Sequence, residues 1–181
     1  FFILDAVSLK LVRVFDLGPV STVFLGENCP YRIRLNRAED VAYFPGTDQE
    51  EVIALDLKTG KILFRIPLGT PRGFVREFGL ALTPDDSFLL AASVASRKLY
   101  WIDLTRRQVS DSIVVGTCPS DIRISSDGKR AFVSLQYTTE ILAIVDLAAR
   151  RVQRWVYFGG MLACVPDLVV MPDDRYVYLS F

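Results

Sequence analysis

The sequence predicts an all-β protein made of repeated antiparallel sheets, and three observations lead to this fold class. Apolar, β-branched and aromatic residues recur at even spacing, which is typical of strands. Four segments align without gaps on an aspartate, spaced by 43 to 51 residues, and each carries a glycine thirteen residues later. A second strand–turn–strand segment follows each of them. Four antiparallel strands in about 45 residues make up the blade of a β-propeller, and about four blades are predicted.

The first hairpin of each repeat is centred on the aligned aspartate. A carboxylate at the mouth of a hairpin accepts backbone N–H groups further along the turn, so we interpret these aspartates as turn formers rather than catalytic acids. The later glycine is predicted to adopt a positive φ or a tight exit, where the chain passes to the next strand. The aligned residues are Asp5, Asp56, Asp103 and Asp146, followed by Gly18, Gly69, Gly116 and Gly159.

The second hairpin of each repeat has a short turn between two apolar strands. Its turns lie at 84–86, 126–128 and 172–174, and the first copy has a degenerate turn at 36–40. The second repeat carries an insertion at 71–77. No stretch of eleven or more residues has a convincing helical period, so every predicted element is a strand.

Composition excludes several classes of protein. With 181 residues, 51% of them hydrophobic, the chain is long and apolar enough to bury a core and is not disordered. A net charge of zero argues against nucleic acid as a partner, and the apolar runs are too short for a membrane-spanning helix. Histidine is absent, which excludes a Ser-His-Asp triad, a Cys-His pair and imidazole-ligated metals.

The third repeat carries a family resemblance. Its sequence, KLYWIDLTRRQVSDSIVVGTCPSDIRISSDGKRAFVS, resembles the YVTN-type β-propeller repeat, which has an IDxxT segment followed by a VGxxPxxIxxSPDG segment. The resemblance covers nearly the whole chain and implies a ring of radially packed sheets, usually of more than four blades. Such propellers are often exported in bacteria and archaea, so the resemblance alone favours a periplasmic or extracellular location.

The phase of the repeats bears on how the ring closes. Strands of a blade are labelled A to D from the central channel outward. We predict one propeller domain or propeller fragment over 1–181, in which strands at the two ends form a composite fourth blade or leave it incomplete. Three arrangements fit this phase of the repeats: an excerpt of a larger ring, a closed four-blade ring, and a homodimer that completes an eight-blade ring. The repeats lie at approximately 1–18 (strands C and D), 29–69, 70–116, 117–159 and 164–181 (strands A and B).

Charged residues recur where each inner strand begins, and they are the candidate ligand-binding residues. Such groups line a channel, where they bind a polar ligand or form a solvated wall of compensating charges. Two further candidates lie on the insertion, because an insertion in one repeat often marks the functional face. The candidates are Arg32, Arg72, Asp121 and Asp167, with Arg34 and Arg123 deeper along the strands, and Arg76 and Glu77 on the insertion. We predict no catalytic residue, metal ligand or cofactor.

Cysteines and aromatic residues complete the set of candidates. Cys29, Cys118 and Cys164 fall on equivalent loops, either as small residues near a repeated proline or as a thiolate cluster for a soft metal. Their redox state stays open. Five aromatic residues on the hairpin strands are predicted to pack between blades: Tyr100, Trp101, Trp155, Tyr157 and Phe158.

The sequence therefore favours a non-catalytic propeller scaffold that presents loops to a protein or a small polar ligand. The family resemblance implies an alternative, a cofactor-free subunit of a periplasmic dehydrogenase or a lactonase-like hydrolase. The absence of histidine weighs against the hydrolase.

Overall fold

The computed structural model of the protein describes residues 2–14, 33–46, 50–69, 79–159, 163–164 and 167–180. Within these ranges there are seventeen strands and no helix, and hence no helix long and apolar enough to cross a membrane. The strands are β1 (Phe2–Leu4), β2 (Leu11–Val14), β3 (Arg34–Leu35), β4 (Val41–Pro45), β5 (Glu51–Asp56), β6 (Ile62–Pro67), β7 (Leu80–Leu82), β8 (Phe88–Ser93), β9 (Lys98–Asp103), β10 (Gln108–Val114), β11 (Pro119–Ile124), β12 (Arg130–Thr138), β13 (Glu140–Asp146), β14 (Arg151–Tyr157), β15 (Ala163–Cys164), β16 (Leu168–Val170) and β17 (Val177–Leu179).

These strands form antiparallel sheets arranged as blades, which confirms the predicted all-β propeller. Blade I contains β3 to β6, blade II contains β7 to β10, and blade III contains β11 to β14, with β15 added along the end of β12. Two hairpins, β1–β2 and β16–β17, flank these blades as two-stranded sheets. No ladder joins the two hairpins within the described ranges.

The first strand of each sheet lies nearest a shared axis. Strand β7 contacts β3 on one side and β11 on the other, and β11 also contacts β16. The last strands, β6, β10 and β14, each pair with one strand and form the outer edges. The order A to D along each repeat is therefore the order from the axis outward.

The cores lie between the blades, which explains the nearly continuous apolar strands. Successive residues of a strand point to opposite faces of its sheet. In β9, Leu99 and Trp101 pack with blade III residues, while Tyr100 and Ile102 pack with blade I residues. Burying one such leucine contributes about 2 kcal/mol. A sheet covered on both faces has no polar stripe, and each blade is thus held by its two neighbours.

The repeated aspartates close the turn between strands C and D, as predicted. In each of the four turns, one carboxylate oxygen accepts the backbone N–H three residues on, at distances of 2.6, 2.8, 2.7 and 2.9 Å in chain order. These backbone hydrogen bonds hold the pKa of Asp5, Asp56 and Asp103 below the ordinary value. The carboxylates are thus occupied by their own turns.

Each outer strand also carries a β-bulge at one repeated position, seven residues after the aspartate. The extra residue is Val12, Leu63, Ser110 or Gln153, and its side chain is exposed in all four. Bulges on edge strands disrupt regular pairing with foreign strands. Positive φ angles at Gly69, Gly116 and Gly159, of 77°, 136° and 52°, confirm the predicted role of the glycine in these three repeats.

The turns between strands A and B link neighbouring blades in two ways. The Arg37 N–H of blade I donates to Asp86 of blade II at 2.7 Å. The Ser126 N–H and hydroxyl of blade III donate to Asp174 on the β16–β17 hairpin at 2.8 and 2.6 Å. Between blades II and III the contact is apolar, because Pro84 has no N–H and faces Gly128.

Candidate functional site

The structure describes four of the eight candidate ligand-binding residues, and it brings them together near the axis: Arg34, Asp121, Arg123 and Asp167. The other four, Arg32, Arg72, Arg76 and Glu77, lie outside the described residues. We call Arg34, Asp121, Arg123 and Asp167 the axial cluster.

Asp121 is the centre of the axial cluster and is 0% exposed. Its Oδ1 accepts a hydrogen bond from Arg123 Nη1 at 2.7 Å and lies 3.6 Å from Arg34 Nη2. Its Oδ2 lies 3.4 Å from the backbone N of Leu168. One carboxylate thereby links blade I, its own blade III and the β16–β17 hairpin.

A glycine allows the inner strands to approach each other beside Asp121. Gly79 directly precedes β7, and a Cβ at this position would lie 2.5 Å from the carbonyl oxygen of Ser120. Real Cβ atoms do not approach backbone this closely, so any other residue would push β7 away from β11. On the other side, the Asp121 N–H donates to the Ser134 hydroxyl at 2.9 Å, which anchors Asp121 to β12.

The charges of the axial cluster compensate each other. Arg123 also reaches Asp167, with 3.5 Å between Nη2 and Oδ1, so two guanidinium groups face two carboxylates. Removing a carboxylate from water is costly, and the cost is offset only when cations and hydrogen bonds surround it. The charges therefore balance, as in the predicted wall of compensating charges, but the carboxylate at the centre is buried rather than solvated. Binding of a polar ligand by these residues stays a prediction.

A second polar cluster, which sequence reasoning missed, lies where blade I meets blade II. Glu50 and Glu51 are both buried. Glu50 Oε2 accepts the Ser93 hydroxyl of blade II at 2.5 Å, and Glu51 Oε1 accepts Arg65 Nη1 at 2.6 Å. The available signal was two glutamates directly before an apolar strand, a pattern that by itself is typical of an exposed turn.

The structure describes the side chain of one of the three cysteines, so both interpretations of the cysteines stay predictions. Cys118 is half-buried and forms no disulfide. Cys29 lies outside the described residues, and Cys164 is described only as part of the β15 backbone. Within the described ranges, no group of three acidic, cysteine or histidine side chains is placed to hold a metal ion.

The aromatic residues divide between the core and the surface. Tyr100 and Trp101 pack between blades as predicted, and Trp101 is only 2% exposed. Trp155 is 40% exposed, although its indole N–H donates to the Val115 carbonyl of blade II at 2.8 Å. Tyr157 and Phe158 are 63% and 51% exposed, so the prediction of inter-blade packing is wrong for them. Tyr157 ends the outermost strand and Phe158 directly follows it, and more than half of the surface of each side chain is exposed.

Comparison with known proteins supports the fold. No protein-family model and no curated protein matches the sequence. Among solved structures, a chain of the hydrazine synthase of Kuenenia stuttgartiensis is similar, with a TM-score of 0.73 and 22% identity. The match covers 86% of the present chain and 44% of that chain. At this identity the likeness concerns the propeller fold alone.

Proposed function

We propose that this chain is a non-catalytic β-propeller scaffold of the YVTN type that binds a partner protein. The observation that supports this is the exposed aromatic surface on the rim of blade III, formed by Trp155, Tyr157 and Phe158. Tryptophan and tyrosine are enriched in the centres of protein interfaces, because they combine a large apolar area with a polar tip. Contiguous exposed apolar surface on a folded domain is typical of an interaction site.

The polar groups of the propeller support a scaffold rather than an enzyme. Asp121 is held by Arg123, Arg34 and a backbone N–H, and the turn aspartates are held by their own backbone. A general acid or base needs a proton that reaches the substrate and a pKa near the working pH. The turn hydrogen bonds lower the pKa of Asp5, Asp56 and Asp103 further from neutrality, and Asp121 is fully buried.

The YVTN assignment depends on the repeat pattern, above all on the segment from Val115 to Gly128 in blade III. A periplasmic or extracellular location follows from that assignment alone. A second copy of the chain is one candidate partner, because β1 and β17 each pair with a single strand in the described structure. Two copies that pair these edges would complete one ring.

A subunit of an enzyme complex is the second candidate function. The observation in its favour is that the similar structure is named as a hydrazine synthase, so this fold occurs in a chain of an enzyme. In such a complex the present chain would hold an interface, and a partner would carry the reactive groups.

Purification from the native source under mild conditions, followed by mass spectrometry and absorption spectroscopy, tests both proposals. A stoichiometric protein partner without a prosthetic group supports the scaffold. A partner that carries haem or a quinone supports the enzyme subunit. A protein that is isolated alone, and stays alone in the presence of its own cell extract, contradicts both.

A further inference from the structure

The outer strand of blade III differs from the other outer strands in its surface. Five of the seven residues of β14 are exposed, and no described strand pairs with its outer edge. The exposed side chains include two arginines and two aromatics, Arg151, Arg154, Trp155 and Tyr157, which we call the blade III strip. The corresponding strand of blade I ends in Pro67, and that of blade II carries Asp111 and no cation.

The two chemical types in the blade III strip lie on opposite faces of the sheet. Arg154 pairs with Ile144, which packs toward the β16–β17 hairpin. Trp155 pairs with Ala143, which lies in the core shared with blade II. Because side chains alternate along a strand, Tyr157 lies on the same face as Trp155. One face of the edge is therefore basic, and the other is aromatic.

The two arginines of the blade III strip have no acidic partner among the described residues. The neighbouring Arg150, in contrast, pairs with Asp111 at 3.1 Å and stacks over Trp101. No acidic residue occurs between Leu147 and Phe158. On the paired strand, Asp146 lies opposite Arg151 and Glu140 lies opposite Tyr157, whereas Arg154 lies opposite the apolar Ile144. Arg154 is therefore the cation of the strip that has no carboxylate directly across from it.

We infer that the blade III strip binds an extended segment of a partner protein in which acidic and apolar side chains alternate. An extended peptide that adds to a sheet edge receives main-chain hydrogen bonds, and its alternate side chains meet the two faces of the sheet. Here the side chains over one face meet Arg154, and those over the other meet Trp155 and Tyr157. The β-bulge at Gln153 interrupts regular pairing, so the added strand runs along Arg154 to Tyr157.

A labelled peptide tests this inference directly. The probe is a fluorescein-labelled heptapeptide of alternating glutamate and phenylalanine, flanked by prolines that block its self-association. One comparison peptide has lysine in place of glutamate, and a second has the same residues in two blocks. Fluorescence polarisation with the full chain should show binding of the alternating acidic peptide at least tenfold tighter than of either comparison peptide, and weaker binding at high salt.

Two variants locate the binding site. Arg154→Glu should weaken binding of the acidic peptide at least tenfold. Lys129→Glu makes the same charge change on a turn between strands A and B and should leave binding unchanged. Circular dichroism spectra of both variants check that the fold is retained. Equal affinity of Arg154→Glu and the unaltered chain, or equal affinity for the two-block peptide, would overturn the inference.

The inference rests on the proposed binding function, and the two fail in different ways. If the chain does not bind the acidic peptide and the native complex survives Arg154→Glu, the blade III strip is not the docking site. The scaffold proposal is retained in that case. A chain that binds the peptide only through Arg154, but has no partner in its own cell extract, supports the strip and contradicts the scaffold.

Discussion

The contact between the turns of blades II and III can be converted from apolar to polar, which tests how the turns join adjacent blades. Pro84 has no N–H to donate, and Gly128 has no carboxylate to accept one. The equivalent pair one blade further on, Ser126 and Asp174, makes hydrogen bonds of 2.6 to 3.0 Å. The double variant Pro84→Ser, Gly128→Asp should therefore install the polar contact that the neighbouring interface already has.

The magnitudes follow from the turn geometry. In Gly128→Asp alone, the new Cβ lies 3.3 Å from Pro84, and the carboxylate has no N–H to accept. This single variant should therefore have a free energy of unfolding lower by about 1–2 kcal/mol. Backbone strain is small, since Asp86 and Asp174 adopt φ of 55° and 56° in the same turn position, against 69° at Gly128. Pro84→Ser alone should change stability by less than about 0.5 kcal/mol.

Urea unfolding of the four proteins in this double-mutant cycle provides the measurement. The double variant should be more stable than the sum of the single changes predicts, by about 1–2 kcal/mol, the value of hydrogen bonds to a charged group near the surface. Asp173→Asn serves as the control, because Asp173 bonds only within its own turn. Additive single effects, within about 0.5 kcal/mol, would refute the idea that these two turn positions recognise each other.

Three further predictions concern the axis, acid stability and assembly. Asp121→Asn should lower the free energy of unfolding by about 3 kcal/mol in urea titrations, because it removes a buried charge from two arginines. An unchanged urea midpoint would contradict the role of the axial cluster. Hydrogen bonds from the Thr83 and Ser87 hydroxyls lower the pKa of Asp85 to about 2, below its ordinary 3.8, so the folded form binds the proton less readily. The stabilisation from Asp85 is then complete above about pH 4 and is lost as the pH falls toward 2. Asp85→Asn should flatten this part of the profile of stability against pH, as measured by thermal unfolding. If two copies complete one ring, light scattering should give twice the 20.3 kDa of a single chain, and a monomer would exclude that assembly.

Local interactions explain which parts of the fold the sequence predicted. Each turn between strands C and D depends on an aspartate and an N–H three residues later, so its determinants lie within one short stretch. The strands of a blade are also close in sequence, and their apolar spacing repeats in every copy. Even the degenerate turn at 36–40 forms, because the Asn36 side chain accepts the N–H groups of Asp40 and Val41. In the equivalent turns of blades II and III, the Thr83 and Ser125 hydroxyls accept the N–H five residues on.

The candidate site could be predicted only in part. Arg34 and Asp121 were both noted as channel residues, but their approach to 3.6 Å depends on β7 lying between β3 and β11 and on Gly79 admitting close contact. Trp101 and Trp155 are similar in sequence as aromatic strand residues, yet one lies on a strand with a neighbour on each side and the other on the outermost strand. Trp101 also packs in the core between blades II and III, so it is buried, whereas Trp155 is 40% exposed.

The sequence by itself determined that the chain forms repeated four-stranded units with aspartate-closed turns, since spacing and short-range hydrogen bonds suffice for both. Only the tertiary structure decided which charges meet at the axis, why Glu50 is buried, and which strand presents arginines and aromatics at an open edge. These outcomes depend on contacts between blades, where residues far apart in sequence meet according to the angle and distance at which the sheets pack, and no local pattern encodes that geometry.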